Sequence, residues 1–102
     1  MIVHIVMFQF KAEQKEENLQ KTKIMLEALV DKIQPLKSME VGINFAKSEK
    51  AFDLSLYATF DNTEGLDIYR VHPEHQKVVH FIKQVILKTT FVDYQITTPK
   101  TK

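Results

Sequence analysis

The residues of this chain best suited to chemistry lie together from Tyr69 to His75, in the order Tyr-Arg-Val-His-Pro-Glu-His. Histidine holds or releases a proton near neutral pH. Because Pro73 suits the first turn of a helix, we expect His72 at the helix cap and His75 in the first turn. The positive end of the helix dipole disfavours a second positive charge there. His75 is therefore expected to be neutral near neutral pH and able to act as a general base.

Tyr69 lies just before the break that His72 and Pro73 make in the helical pattern. A bend at this break would bring the Tyr69 hydroxyl toward His75 across a shared hollow. A tyrosine hydroxyl is a good hydrogen-bond donor to a carbonyl or enolate oxygen. The same residues also have a purely structural interpretation, with His72 as a cap, His75 exposed at the surface and Tyr69 as a core aromatic. The spacing alone leaves both interpretations open.

A metal site made by these histidines is disfavoured, because Pro73 breaks the helical geometry between His72 and His75 and no third ligand has suitable spacing. His80 projects away from His75 on an ideal helix. We therefore predict no metal site. His4, in the first apolar segment, is expected either to be a hydrogen-bonded core histidine or to line a pocket. The chain has no Gly-rich phosphate loop and no serine-nucleophile signature.

The periodicity of the chain predicts the elements that must position these residues. Strands are expected at residues 2–10, 39–45, 52–60 and 89–96, and helices at residues 12–33, 63–71 and from Pro73 onward. This order is the ferredoxin-like βαββαβ pattern of the α+β class, with an antiparallel four-stranded sheet. We expect a single domain at residues 1–97 and a frayed polar tail at 98–102.

In this fold two helices cover only one face of the sheet, and the first strand carries large apolar groups on both of its faces. We therefore predict a homodimer in which two sheets pack face to face and bury on the order of 1,600 Å² or more in total. The alternative is a monomer with one solvated face. The residues that favour this alternative are polar groups on the later strands, namely Asn44, Ser55, Thr59 and Gln95.

The charge balance of the 102 residues argues against a polyanionic partner, since 14 Lys and Arg against 13 Asp and Glu leave a net charge of +1. The same βαββαβ order serves RNA-binding modules, but the third predicted strand carries no Lys or Arg. We expect no nucleic-acid partner. The absence of cysteine excludes disulfides and thiolate metal sites and is typical of the cytoplasm. No segment has the length of a membrane span, so no membrane association is expected.

Taken together, these residues resemble the stress-responsive A/B barrel domain family of dimeric α+β barrel proteins. The likeness covers nearly the whole chain. It rests on His4 in a first strand that ends in Phe-Gln-Phe-Lys, on the segment from Tyr69 to His75, and on the closing Phe-Val-Asp-Tyr that ends at Tyr94. The resemblance implies a ferredoxin-like protomer, a homodimeric α+β barrel and, as is usual in the family, no organic cofactor.

One characterised kind of family member is a polyketide cyclase that performs an intramolecular aldol condensation. The resemblance aligns its catalytic Tyr and His with Tyr69 and His75, and a first-strand pocket His with His4. It implies that His75 would remove a proton next to a carbonyl while Tyr69 steadies the oxyanion. His72 and Tyr94, from the same motifs, complete the expected pocket lining. This chain departs from the cyclase at Leu54, where the cyclase has a further pocket His.

Two hypotheses for the function follow. The first is a stress-associated homodimer whose pocket binds an apolar small molecule without turnover. The second is a cofactor-independent cyclase, isomerase or small monooxygenase-like enzyme that acts on a carbon next to a carbonyl. Both predict a pocket between the 69–75 segment and the sheet. The enzyme would need Tyr69 and His75 to converge on one cavity of roughly 300 Å³ or more.

Overall fold

The computed structural model describes residues 1–97, so the tail predicted at 98–102 lies outside the described residues. The strands are β1 (Ile2–Phe10), β2 (Leu36–Ile43), β3 (Leu54–Phe60) and β4 (Ile86–Gln95). The α-helices are α1 (Lys15–Glu27), α2 (Thr63–Val71) and α3 (Pro73–Val85), and a short 3₁₀ helix (Ala28–Asp31) follows α1. The order of elements is the predicted one, with the second helical segment divided at Pro73.

The four strands form one antiparallel sheet in the order β2-β3-β1-β4. The first strand therefore occupies an inner position, between β3 and the edge strand β4. This confirms the predicted ferredoxin-like α+β fold. The pairing also sets His4 opposite Ala58 on β3 and opposite Asp93 on β4, which places these three residues on the same face of the sheet.

Several boundaries differ from the sequence-based prediction for local reasons. The first helix begins at Lys15 because Gln14 has a left-handed backbone with φ 52°, which interrupts helical geometry. The second strand ends at Ile43 because Asn44 makes a side-chain turn, its Oδ1 accepting from the Ala46 N–H at 3.0 Å. Phe45 was predicted to lie in that strand, but it is 97% exposed beyond its end.

The helices cover the face of the sheet on which His4, Val6 and Phe8 lie, and this face carries most of the buried core. The opposite face, which we call the open face, is defined by the side chains paired around Ile5 and Met7. It holds exposed apolar groups at its centre, and Met7, Tyr57, Val92 and Tyr94 are each more than a third exposed. An apolar face of this kind is typical of a surface that meets a partner.

Candidate functional site

A cavity of about 190 Å³ lies between α3 and the helix-covered face of the sheet. Most of its lining is apolar, with Phe8 and Leu56 from the sheet and Ile82 from α3. The polar side chains in the lining are those of His4, Tyr69, His75, Lys83 and Thr89. The cavity is smaller than the roughly 300 Å³ expected for an enzyme site of ordinary size. It has room for a compact molecule, equivalent to about six waters at about 30 Å³ each.

The break between α2 and α3 brings Tyr69 and His75 together. The backbone at His72 is extended, with φ −65° and ψ 135°, because the proline that follows disfavours helical geometry. The chain bends there and starts a new helix at Pro73. As a result, the ring centroids of Tyr69 and His75 lie 4.1 Å apart, with an angle of 33° between the ring planes. Both side chains line the same cavity.

The Tyr69 hydroxyl is buried and has no hydrogen-bond partner among residues 1–97. Its ring packs edge-on against Phe60, with centroids 5.2 Å apart, and this contact fixes the ring in the core. Burial raises the pKa of the Tyr69 hydroxyl well above its ordinary value, so the group keeps its proton and remains a donor. An unpaired buried hydroxyl costs about 1–3 kcal/mol. An acceptor oxygen on a bound molecule would relieve that cost.

The His75 imidazole is held in one tautomer by the main chain. Its Nδ1 lies 3.2 Å from the carbonyl oxygen of Arg70, and a carbonyl can only accept, so Nδ1 carries the proton. The other ring nitrogen, Nε2, is then left with a free lone pair. Burial is the largest cause that lowers the pKa of His75, and electrostatic interactions with His4, Arg70 and His72 lower it further. The hydrogen bond to the Arg70 carbonyl opposes them. His75 therefore combines the neutral state and the free nitrogen that a general base requires.

His4 is oriented by the carboxylate of Asp93, which was not among the predicted site residues. The His4 Nδ1 donates to Oδ1 of Asp93, and the guanidinium of Arg70 donates to Oδ2 of the same side chain. This network ties the last turn of α2 to β1 and β4. The His4 ring lies edge-on to Tyr69, with centroids 6.1 Å apart. The available signal was that Asp93 is the one charged residue between positions 89 and 96.

His72 and Tyr94 lie outside the cavity, although both were predicted to line it. The His72 side chain caps α3, because its Nδ1 accepts a hydrogen bond from the Glu74 N–H at 3.1 Å. Tyr94 pairs with Val3, whereas its neighbour Asp93 pairs with His4. Successive residues of a strand point to opposite faces, so Tyr94 lies on the open face and is 43% exposed. The structure thus brings together three of the five predicted site residues: His4, Tyr69 and His75.

The described residues contain no group of three or more His, Asp or Glu side chains arranged to hold a metal ion. Within the same part of the chain, no helix is long and apolar enough to cross a membrane. The polar groups in the cavity lining are an unpaired phenolic donor, two imidazoles, one ammonium group and the hydroxyl of Thr89.

Comparison with known proteins gives one family match and many structural ones. The model of the stress responsive A/B barrel domain matches residues 2–96. A dimeric protein with a ferredoxin-like fold from Bacteroides fragilis is 28% identical, with a TM-score of 0.84, and the match covers 93% of this chain and 95% of that one. No curated protein matches the sequence.

Two further solved structures share the fold at lower identity. The protein At3g17210 from Arabidopsis thaliana is 20% identical, with a TM-score of 0.87 over 99% of this chain and 100% of that one. A hydroxynitrile lyase from Passiflora edulis is 13% identical, with a TM-score of 0.85 over 98% of this chain and 96% of that one. At these identities the likeness shows the fold alone.

Proposed function

This chain belongs to the stress-responsive A/B barrel domain family, and from that premise we propose that it is a homodimer whose cavity binds a small, mainly apolar molecule with an acceptor oxygen. The observation that carries the proposal is the Tyr69 hydroxyl, which is buried in a mainly apolar cavity and has no partner among the described residues. Folded proteins rarely leave such a group unsatisfied. A ligand carbonyl at this hydroxyl would supply the missing acceptor, while the apolar lining takes up the remainder of the molecule.

The open face supports the homodimer. Tyr57, Val92 and Tyr94 expose apolar surface at the centre of a sheet whose other face is covered by helices. The similar protein from Bacteroides fragilis is described as dimeric. Packing two such faces around a twofold axis is an isologous contact, in which each subunit supplies the same surface. A stable interface of this kind buries about 1,600 Å² in total.

Binding can be tested with a ligand-observed NMR screen of small ketones, aldehydes and acids against the wild type and Tyr69→Phe. This substitution removes one oxygen atom and keeps the ring that packs on Phe60. We expect compounds that carry a carbonyl to bind the wild type. They should bind the variant at least about five-fold more weakly, because one hydrogen bond is lost. If no compound binds either protein, the Tyr69 to His75 segment has a structural role and the proposal fails.

A second candidate function, acid–base catalysis on a substrate compact enough for a cavity of about 190 Å³, is favoured by the free Nε2 of His75, whose ring packs against the Tyr69 ring. His75 would take a proton from a carbon next to the ligand carbonyl, and Tyr69 would donate a hydrogen bond to the oxygen as it becomes an enolate. A positioned base contributes roughly 10²–10⁴ in rate, and a preorganised donor adds to this. A hydroxynitrile lyase shares this fold. At 13% identity, the similarity extends to the fold and not to the reaction.

Catalysis and binding are separated by following exchange of the ligand's α-hydrogens for deuterium in D₂O by NMR. For an enzyme, exchange should be accelerated by the wild type and slowed about 100-fold or more by His75→Gln, which keeps a side chain of similar length without the basic nitrogen. Binding without accelerated exchange would reject the catalytic function and leave the binding function standing.

A further inference from the structure

The cavity lining contains one side chain that carries a full charge at neutral pH, and that charge is positive. It belongs to Lys83, near the end of α3, and none of the residues in the lining is acidic. The carboxylate of Asp93, which contacts the lining residue His4, already accepts hydrogen bonds from Arg70 and His4. Among residues 1–97, Lys83 takes part in no ion pair. Its ammonium group is thus available to a charge on a bound molecule.

Lys83 also lies on the same side of α3 as His75. His75, Val79 and Lys83 follow one another at intervals of four residues, along the side of α3 that lines the cavity. At 1.5 Å per residue, His75 and Lys83 are about 12 Å apart along the helix axis. Helical side chains lean toward the N-terminus, so the Lys83 stem is directed back over the cavity. The residue is exposed, as expected if the stem lines the cavity and the ammonium remains in water.

We propose that the natural ligand is an apolar carboxylate, with its acid group at Lys83 and an acceptor oxygen at Tyr69. This inference rests on the proposed binding function and narrows its ligand class. The apolar side chains between the two ends, such as Val79 and Ile82, would contact the hydrocarbon part of the molecule. With a volume of about 190 Å³, the cavity favours a short oxo acid over a long fatty acid.

The test uses three probes that differ in one group each. Levulinate carries both a ketone and a carboxylate, levulinamide keeps the shape without the charge, and valerate keeps the charge without the ketone. Homologues of each with two or four more methylene groups vary the distance between the acceptor oxygen and the acid group. Dissociation constants are measured by NMR titration at low ionic strength, for the wild type, Tyr69→Phe, Lys83→Gln and Lys77→Gln. The last variant removes the same charge from the same helix at a residue that does not line the cavity.

We expect the acid to bind the wild type roughly three- to five-fold more tightly than its amide, because a partly exposed ion pair makes a modest contribution. This preference should disappear in Lys83→Gln, persist in Lys77→Gln and shrink as salt is added. Equal affinities of acid and amide for the wild type, or a preference that survives in Lys83→Gln, would overturn the inference. If the amides bind and need the Tyr69 hydroxyl, the binding function stands without the anionic ligand. If no probe binds, both fail.

Discussion

The Nδ1 atom of His75 lies 3.2 Å from the main-chain oxygen of Arg70, across the break between α2 and α3. The same carbonyl accepts a second hydrogen bond, at 2.6 Å, from the side-chain amide of Gln76. The last turn of α2 thus ends on a carbonyl that is free of helical pairing and available to the next helix. The bend that a proline imposes on the chain therefore also fixes which nitrogen of the imidazole carries the proton.

The first prediction concerns the protonation state of His75. Nitrogen-15 NMR of the imidazole should show the neutral tautomer protonated at Nδ1 at neutral pH, because the Arg70 carbonyl can only accept. The pKa of His75 should be below the ordinary value of 6.5, chiefly because the ring is buried. A His75 spectrum typical of the Nε2-protonated tautomer, or of imidazolium, would contradict the geometry.

The second prediction is the effect of pH on stability. Because the folded-state pKa of His75 is lowered, the unfolded chain binds a proton more readily than the folded one as the pH falls through 6.5. The free energy of unfolding should therefore decrease as the pH falls from 6.5 toward the folded-state pKa, and be fully restored above 6.5. His75→Gln should remove this part of the pH dependence in urea titrations. The control is His80→Gln, which changes an exposed histidine on α3 and should leave the pH dependence of stability unchanged.

The third prediction compares two buried hydroxyls that lack a partner among the described residues, those of Tyr69 and Thr22. Replacing each by its nearest apolar analogue removes an unsatisfied group, so Tyr69→Phe and Thr22→Val should each stabilise the unliganded protein by about 1 kcal/mol. In thermal unfolding this corresponds to a rise of about 4–8 °C for a domain of this size. Only Tyr69→Phe should weaken ligand binding, because Thr22 does not line the cavity. Destabilisation of unliganded Tyr69→Phe would indicate that a protein group satisfies the hydroxyl.

The fourth prediction concerns Asp93, which joins His4 to Arg70. In Asp93→Asn the ion pair with Arg70 is lost, and an amide cannot accept from both donors through two oxygens. We expect a loss of about 1–3 kcal/mol in the free energy of unfolding, measured with urea, since hydrogen bonds to charged groups are lost. Asp61→Asn is the matched control, because its ion pair with Lys37 is exposed and should contribute little. Equal, small effects of both substitutions would show that the network does not hold the site.

The fifth prediction tests the open face as the dimer interface. Tyr57→Lys or Val92→Lys would bury a charge in an apolar contact, so either variant should dissociate into monomers of 11.9 kDa. The wild type should have twice that mass, about 24 kDa, by light scattering at micromolar concentration. Ile24→Lys changes an exposed apolar residue on α1, away from the open face, and should remain a dimer. A wild type of about 12 kDa would reject the homodimer.

Much of the fold followed from periodicity, because a strand buries alternate residues and a helix buries every third or fourth. This pattern identified the order of the strands and helices, and the steric effect of Pro73 on the residue before it identified the helix break. Periodicity could not predict the end of a helix or strand where that end depends on the backbone conformation of a single residue. The left-handed Gln14 and the side-chain turn at Asn44 move two of those ends, and nothing in the hydrophobic pattern marks them.

The sequence by itself determined that Tyr69 and His75 flank a helix break and that a lone histidine lies in the first strand, since these are properties of neighbouring residues. Only the tertiary structure decided which groups share a cavity. The pairing of β1 with β4 joined residues 89 positions apart, His4 and Asp93, and turned Tyr94 to the opposite face. Strand register depends on contacts across the whole sheet, and a shift of one residue would exchange the two faces. The sequence also named His72 as a candidate for both cap and pocket, and the folded backbone around Pro73 assigned it to the cap of α3.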